Sequence, residues 1–144
     1  MTVKILGLDE IQRKLDSLPE KMQKNVLASG NRAVANQVKK RAQAATTNET
    51  MRKGLKVIQA HFNGTRVGNK WRFLVGVRKP FSSLTHLFEF GTAERFTEGG
   101  ARRGRMSPQP FLRPAQESMN AKEVEAIWSK AASRNLERQL AKLK

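Results

Sequence analysis

The chain has 144 residues, with 28 lysines and arginines against 12 aspartates and glutamates, giving a formal net charge of +16 and an isoelectric point near 11.2. That length suits a single domain, 1–144, with a modest core, and the absence of cysteine excludes disulfides, thiolate metal sites and a thiol nucleophile. Asp9 and Glu10 interrupt the N-terminus before an apolar run of signal-peptide length forms, and no stretch approaches the roughly 20 apolar residues that span a bilayer. The expectation is a soluble protein made inside a cell, with no membrane partner.

Helices are predicted over about residues 9–45. Asp9 and Gln12 have capping-box spacing, and Ile11, Leu15 and Leu18 follow at i, i+4 and i+7 as one apolar stripe. Ser17 and Glu20 repeat the capping spacing, and Pro19 is tolerated in a first turn, where N–H groups have no intrahelical partner. The reading is a short helix, a break near Ser17, and a long helix to about Ala45. Along it Met22, Val26, Gly30, Ala33, Val34, Val38, Ala42 and Ala45 form a stripe of small residues that lets a neighbour approach closely. Lys39, Lys40 and Arg41 are expected to suit the negative end of the helix dipole. The polar cluster Thr46–Thr50 then competes for backbone hydrogen bonds and ends the helix.

From Leu55 the hydrophobic period changes from 3.6 to 2, predicting a hairpin over about 55–79. Ile58, Ala60 and Phe62 share one face, while Trp71, Phe73, Val75 and Val77 alternate with Lys70, Arg72, Leu74 and Arg78. Asn63-Gly64 and Gly68-Asn69 are both hairpin-turn pairs, read as one turn and one bulge. Between Glu49 and Glu89 there is no acidic residue, yet Arg52, Lys53, Lys56, Arg66, Lys70, Arg72, Arg78 and Lys79 all fall there. The hairpin is thus expected to carry an apolar core face and a basic outer face that includes Lys56, Arg66, Lys70, Arg72 and Arg78. Charge of one sign sets up a local potential that suits an anionic partner, whether nucleic acid, an acidic protein surface or a headgroup layer; the alternative is a solvated basic hairpin with no dedicated partner. Trp71 and Phe73 match a base-stacking platform, but in one row with Val75 and Val77 they read as core.

Beyond Pro80, a mobile loop is expected over about 92–108, where Gly99-Gly100-Ala101-Arg102-Arg103-Gly104-Arg105 has almost no apolar anchor. Arg102, Arg103 and Arg105 extend the basic surface. Met106–Pro114 is a proline-stiffened lead-in to a C-terminal helix over about 114–142, with Pro114 at its first position. Asn120 and Glu123 can cap a fresh start near Asn120, and Val124, Trp128, Ala131, Ala132, Leu136, Leu140 and Leu143 form its apolar stripe. The fold class that follows is α+β: N-terminal helices including one long helix, a small antiparallel sheet built on a basic hairpin, and a C-terminal helix. Chemistry finds little footing. His86 and Glu89 can share a helical face, but no second ligand pair at metal spacing, glycine-rich phosphate loop or nucleophile motif accompanies them. The expectation is no enzyme, no catalytic or metal-ligating residue and no cofactor.

Taken in order, Gly7-Leu8-Asp9-Glu10 before a long helix, Phe88-Glu89-Phe90-Gly91-Thr92, a variable loop, and Pro110-Phe111-Leu112-Arg113-Pro114-Ala115 before a charged helix resemble one family. It is the neck and tail-completion (head–tail joining) proteins of long-tailed bacteriophages, similar to lambdoid minor tail protein Z. The resemblance covers nearly the whole chain. It implies a structural virion protein, made in the host cytoplasm and needed for virion assembly, that forms a homo-oligomeric ring at the head–tail junction, six-fold as tail symmetry suggests. Its implied partners are its own copies, other neck and tail proteins, and the DNA passing through the neck. Glu89, Phe90, Gly91, Pro110, Phe111 and Arg113 are the candidate assembly-interface residues. Gly91 is expected to turn the chain after a buried Phe90. Glu89, costly to bury alone, is expected to find a basic partner, with Arg113 the candidate within the chain or across subunits, while the prolines preset the lead-in. The alternative is a freestanding basic nucleic-acid-binding protein, argued from the isoelectric point.

Overall fold

A computed structural model describes residues 8–59 and 73–142, with side chains from Glu10 onward. The elements are α1 (Leu8–Asp16), α2 (Glu20–Ala45), α3 (Glu49–Gly54), β1 (Leu55–Gln59), β2 (Phe73–Val77), a 3-10 turn (Phe81–Leu84), α4 (Thr85–Phe90), β3 (Arg95–Phe96), β4 (Arg102–Gly104), α5 (Leu112–Glu117) and α6 (Ala121–Leu140). The class is α+β, and the described strands form two small antiparallel sheets, β1–β2 and β3–β4. No helix among the described residues is long and apolar enough to cross a membrane. The chain divides into two compact units, one containing Met1–Ala35, Gln59–Leu74 and Asn120–Lys144, the other Asn36–Ile58 and Val75–Met119.

In the first unit, α1 starts at Leu8, so Asp9 lies within the helix instead of capping it. The predicted break is real. Ser17 Oγ donates to the Lys14 carbonyl at 2.7 Å, and the Pro19 carbonyl receives the N–H groups of Met22 (2.8 Å) and Gln23 (3.1 Å), which opens α2. Leu18, Val26, Ala132 and Leu136 are buried together, with Leu15, Met22, Trp128 and Leu140 packed against them. Leu140 therefore docks on its own unit. The small-residue stripe on α2 has its purpose at Gly30, where a Cβ would lie 2.5 Å from Trp128 Nε1 and 2.7 Å from Cδ1 and Cε2. The indole N–H beside it donates to Asn31 Oδ1 at 2.9 Å. Gly30→Ala should push the indole off both contacts and lower stability by about 1–3 kcal/mol, read by thermal melting. A melting curve unchanged from the parent would mean that the ring has room to move. Asn120 caps α6, its Oδ1 accepting the Glu123 N–H at 2.8 Å, so the C-terminal helix is two helices, α5 and α6.

The second unit is built on Ala42, Met51, Leu55, Val77, Phe111 and Ala115, with Val38, Val75, Phe88 and Leu112 packed around them. The Thr46–Thr50 cluster does more than end α2. Asn48 Oδ1 accepts the Met51 N–H at 3.0 Å and starts α3, a helix that the polar composition concealed. Lys39, Lys40 and Arg41 fall short of the last turn of α2, which holds no basic residue. Arg41 instead reaches Ser118, with Nη1 2.6 Å from its carbonyl and 2.9 Å from its Oγ.

The inward face of β1 also differs from expectation. Leu55 is 1% exposed and its N–H closes α3 on the Met51 carbonyl, which fixes the odd-numbered positions toward the core. With a strand period of two, Lys56 and Ile58 then face solvent, Ile58 at 38% exposure. On β2, Val77 is buried, Phe73 and Val75 are half-buried and Leu74 is exposed, which is the predicted alternation. Residues 60–72 lie outside the described residues, and with them the two turn pairs, His61, Trp71 and the basic candidates Arg66, Lys70 and Arg72.

Candidate assembly interface

The two sequence motifs meet in space. The 3-10 turn and α4 bring Phe88 inward to the second core, and the next residue, Glu89, sends its carboxylate to the start of α5. Its Oε1 accepts the N–H of Phe111 at 2.9 Å and of Leu112 at 2.7 Å. Phe111 is the residue that opens α5, and its own side chain makes no cap. Glu89 therefore caps α5 from another helix, placing negative charge where exposed N–H dipoles point outward.

Backbone bonds continue the junction on both sides. The Gln109 N–H donates to the Phe88 carbonyl at 2.7 Å, and the Thr92 N–H to the Met106 carbonyl at 2.9 Å. Met106 returns its own N–H to Thr92 Oγ1 at 2.9 Å. Between these bonds sits Gly91, with φ +71 and ψ −168, its N–H closing α4 on the Leu87 carbonyl. A Cβ here would stand 2.5 Å from the Met106 carbonyl oxygen and 2.9 Å from Pro108 Cδ and N. The turn is thus confirmed as one only glycine fits, in a backbone region essentially closed to other residues.

Two expectations about this site are corrected. Phe90 is 74% exposed, not buried. With Phe88 packed on the core and Glu89 committed to α5, the 100° advance per residue carries Phe90 to the solvent side. Glu89 is matched by backbone N–H groups and not by Arg113, whose Nε bonds Glu117 Oε1 at 2.9 Å one turn along α5. That hydrogen bond, and then the Glu117 charge, raise the Arg113 guanidinium further above its ordinary value, with the Glu89 charge adding least. Pro110 is exposed, whereas Phe111 beside it is 1% exposed. Glu89→Ala should leave both N–H groups at the head of α5 without their acceptor and cost about 2–3 kcal/mol. Glu89→Gln, which keeps an accepting oxygen, should cost less, and equal melting of the two variants would contradict the capping role.

The glycine–arginine segment, expected as a loop, contains a short ribbon. β3 pairs with β4 antiparallel, Arg95 opposite Gly104 and Phe96 opposite Arg102, with a register shift between them. Its turn is closed by the Thr97 N–H to the Ala101 carbonyl (2.9 Å) and the Ala101 N–H to Thr97 Oγ1 (3.0 Å). Arg102 pairs with Glu94. Of the basic-surface candidates, Lys56, Arg78, Arg102, Arg103 and Arg105 are all exposed. Thr92, Met106 and Gln109, which flank the junction, leave no signal in the sequence because their contributions are backbone bonds and one hydroxyl. Comparison with protein-family models, with curated proteins and with solved structures found no match.

Proposed function

We propose that the chain is a structural virion protein of a tailed bacteriophage, a tail-completion or neck subunit that joins copies of itself into a ring at the head–tail junction. The observation that carries this reading is the junction itself. The two motifs behind the family resemblance, 18 residues apart from Thr92 to Pro110, are bonded directly through Glu89, with the Thr92–Met106 and Gln109–Phe88 backbone bonds beside it. That arrangement anchors Phe111 in the core while holding Phe90 out at the surface. A large apolar side chain fixed in solvent by its neighbours suits a contact made only on assembly. Exposed Lys56 and Arg78 suit an acidic neighbouring ring, where charge acts mainly on encounter and register.

Phe90→Ser tests this reading. The side chain contributes little to the fold, so the variant is expected to melt like the parent yet to be left out of particles assembled in its presence. Incorporation at the parental level would reject the assembly role of this surface. The second reading, a freestanding nucleic-acid-binding protein, draws on the net charge of +16. It predicts a monomer that binds nucleic acid with steep salt dependence and is dispensable for particles.

A further inference from the structure

The β3–β4 ribbon is unlike the rest of the fold in one respect: every residue of both strands is exposed. A ribbon with one buried face is held by a core, and its other face is the only one free to meet a partner. Here both faces are free. Phe96 and Arg102 stand opposite each other across the strands, and so, at the adjoining position, do Arg95 and Gly104. Successive positions on a strand point to opposite sides, so Phe96 and Arg95 occupy different faces. Phe96 is 58% exposed. Among the described residues, Arg95, Arg103 and Arg105 hold no ion pair, whereas Arg102 is engaged by Glu94 and Glu98 lies exposed at the turn.

We propose that this ribbon is a double-stranded DNA-binding arm, entering the major groove with Arg95, Arg103 and Arg105 on the flanking phosphates and Phe96 against base edges. Charge complementarity sets the sign of the partner, and a two-stranded ribbon standing clear of the core sets its shape. A groove about 12 Å wide, walled by phosphates on both sides, admits a two-stranded ribbon with one face toward the base edges and its arginines reaching the flanking phosphates. Guanidinium groups suit phosphate oxygens because they present two parallel N–H donors. The Glu94 carboxylate occupies Arg102 and so limits how many cations the arm can offer. The assignment stands whether or not the chain forms a ring, since it concerns the isolated protein.

The test is a salt titration of the full purified chain against a short labelled duplex. Each phosphate contact contributes about 0.9 to the slope of log affinity against log salt. Changing Arg95, Arg103 and Arg105 together to glutamine should flatten the slope by about 2–3. Changing the exposed Lys21, Lys122 and Lys130 to glutamine removes the same charge from α2 and α6 and should leave the slope near parental. Phe96→Ala should weaken binding without altering the slope. Glu94→Gln, which releases Arg102, should tighten binding and steepen the slope by about one. Equal flattening by the two triple variants would overturn the assignment, because binding would then follow net charge alone. So would competition by polyglutamate as effective as by unlabelled duplex, which would make the arm a contact for acidic protein surfaces.

Discussion

Phe111→Ala should be the most damaging truncation in the second unit, lowering stability by about 3–5 kcal/mol. The ring is 1% exposed and packs with Ala42, Met51, Leu55, Val77 and Ala115, so its removal leaves a cavity in contact with α2, α3, β1, β2 and α5 at once. The backbone on which the cavity would open is held in place by the Glu89 bonds to the N–H groups of residue 111 and of Leu112. For a chain of this size the loss corresponds to a fall in melting temperature of roughly 10 °C or more. Phe111→Leu, keeping most of the volume, should recover the larger part. A melting temperature for the alanine variant within a degree or two of the parent would place Phe111 outside the core.

Gly91→Ala is expected to have the second-largest effect, roughly 2–5 kcal/mol, by summing backbone strain and a steric clash. The clash is with backbone: the new Cβ would meet the Met106 carbonyl oxygen at 2.5 Å, and that oxygen also accepts the Thr92 N–H. Relief requires opening that bond, which flanks the junction of the two motifs. With ψ at −168 this is not the left-handed helical region that asparagine tolerates. Gly91→Asn should therefore fail as badly as Gly91→Ala. Rescue by asparagine would mean that the turn relaxes into the left-handed region, and that the close approach to Met106 is dispensable.

Much of this architecture is legible in the sequence where a periodic pattern meets a cap. The break at Ser17, the span of α2 to Ala45, the cap at Asn120 and the inward row Phe73, Val75 and Val77 follow from spacing alone. The misreadings share a cause. Hydrophobicity alone puts Ile58 and Phe90 inward, but a nearby residue has the stronger claim on position in each case: Leu55 sets the face of β1, and Glu89 sets the rotation at the end of α4. Asn48 lies in the polar cluster that follows α2, and its side chain caps the next helix. The short β3–β4 ribbon has no apolar alternation to betray it, being held by backbone bonds and exposed on both sides.

The candidate site was half visible. Glu89, Gly91 and Phe111 could be singled out as unusual, since a carboxylate beside phenylalanines and a glycine after them demand some local explanation. Their partners could not. Glu89 is satisfied by the amides of Phe111 and Leu112, and backbone amides are present at nearly every position and leave no signature in the side-chain alphabet. Arg113 looked the better match on charge, yet Glu117 lies one helical turn away on the same element and takes it with less loss of freedom.

The most direct test of the assembly account is a reconstruction of particles produced by the genome that encodes this chain. The expected result is a ring of copies between head and tail, with Phe90, held out beside the Glu89–Phe111 junction, covered by a neighbour. Complete, tailed particles that lack the chain, or a ring in which Phe90 remains in solvent, would contradict it.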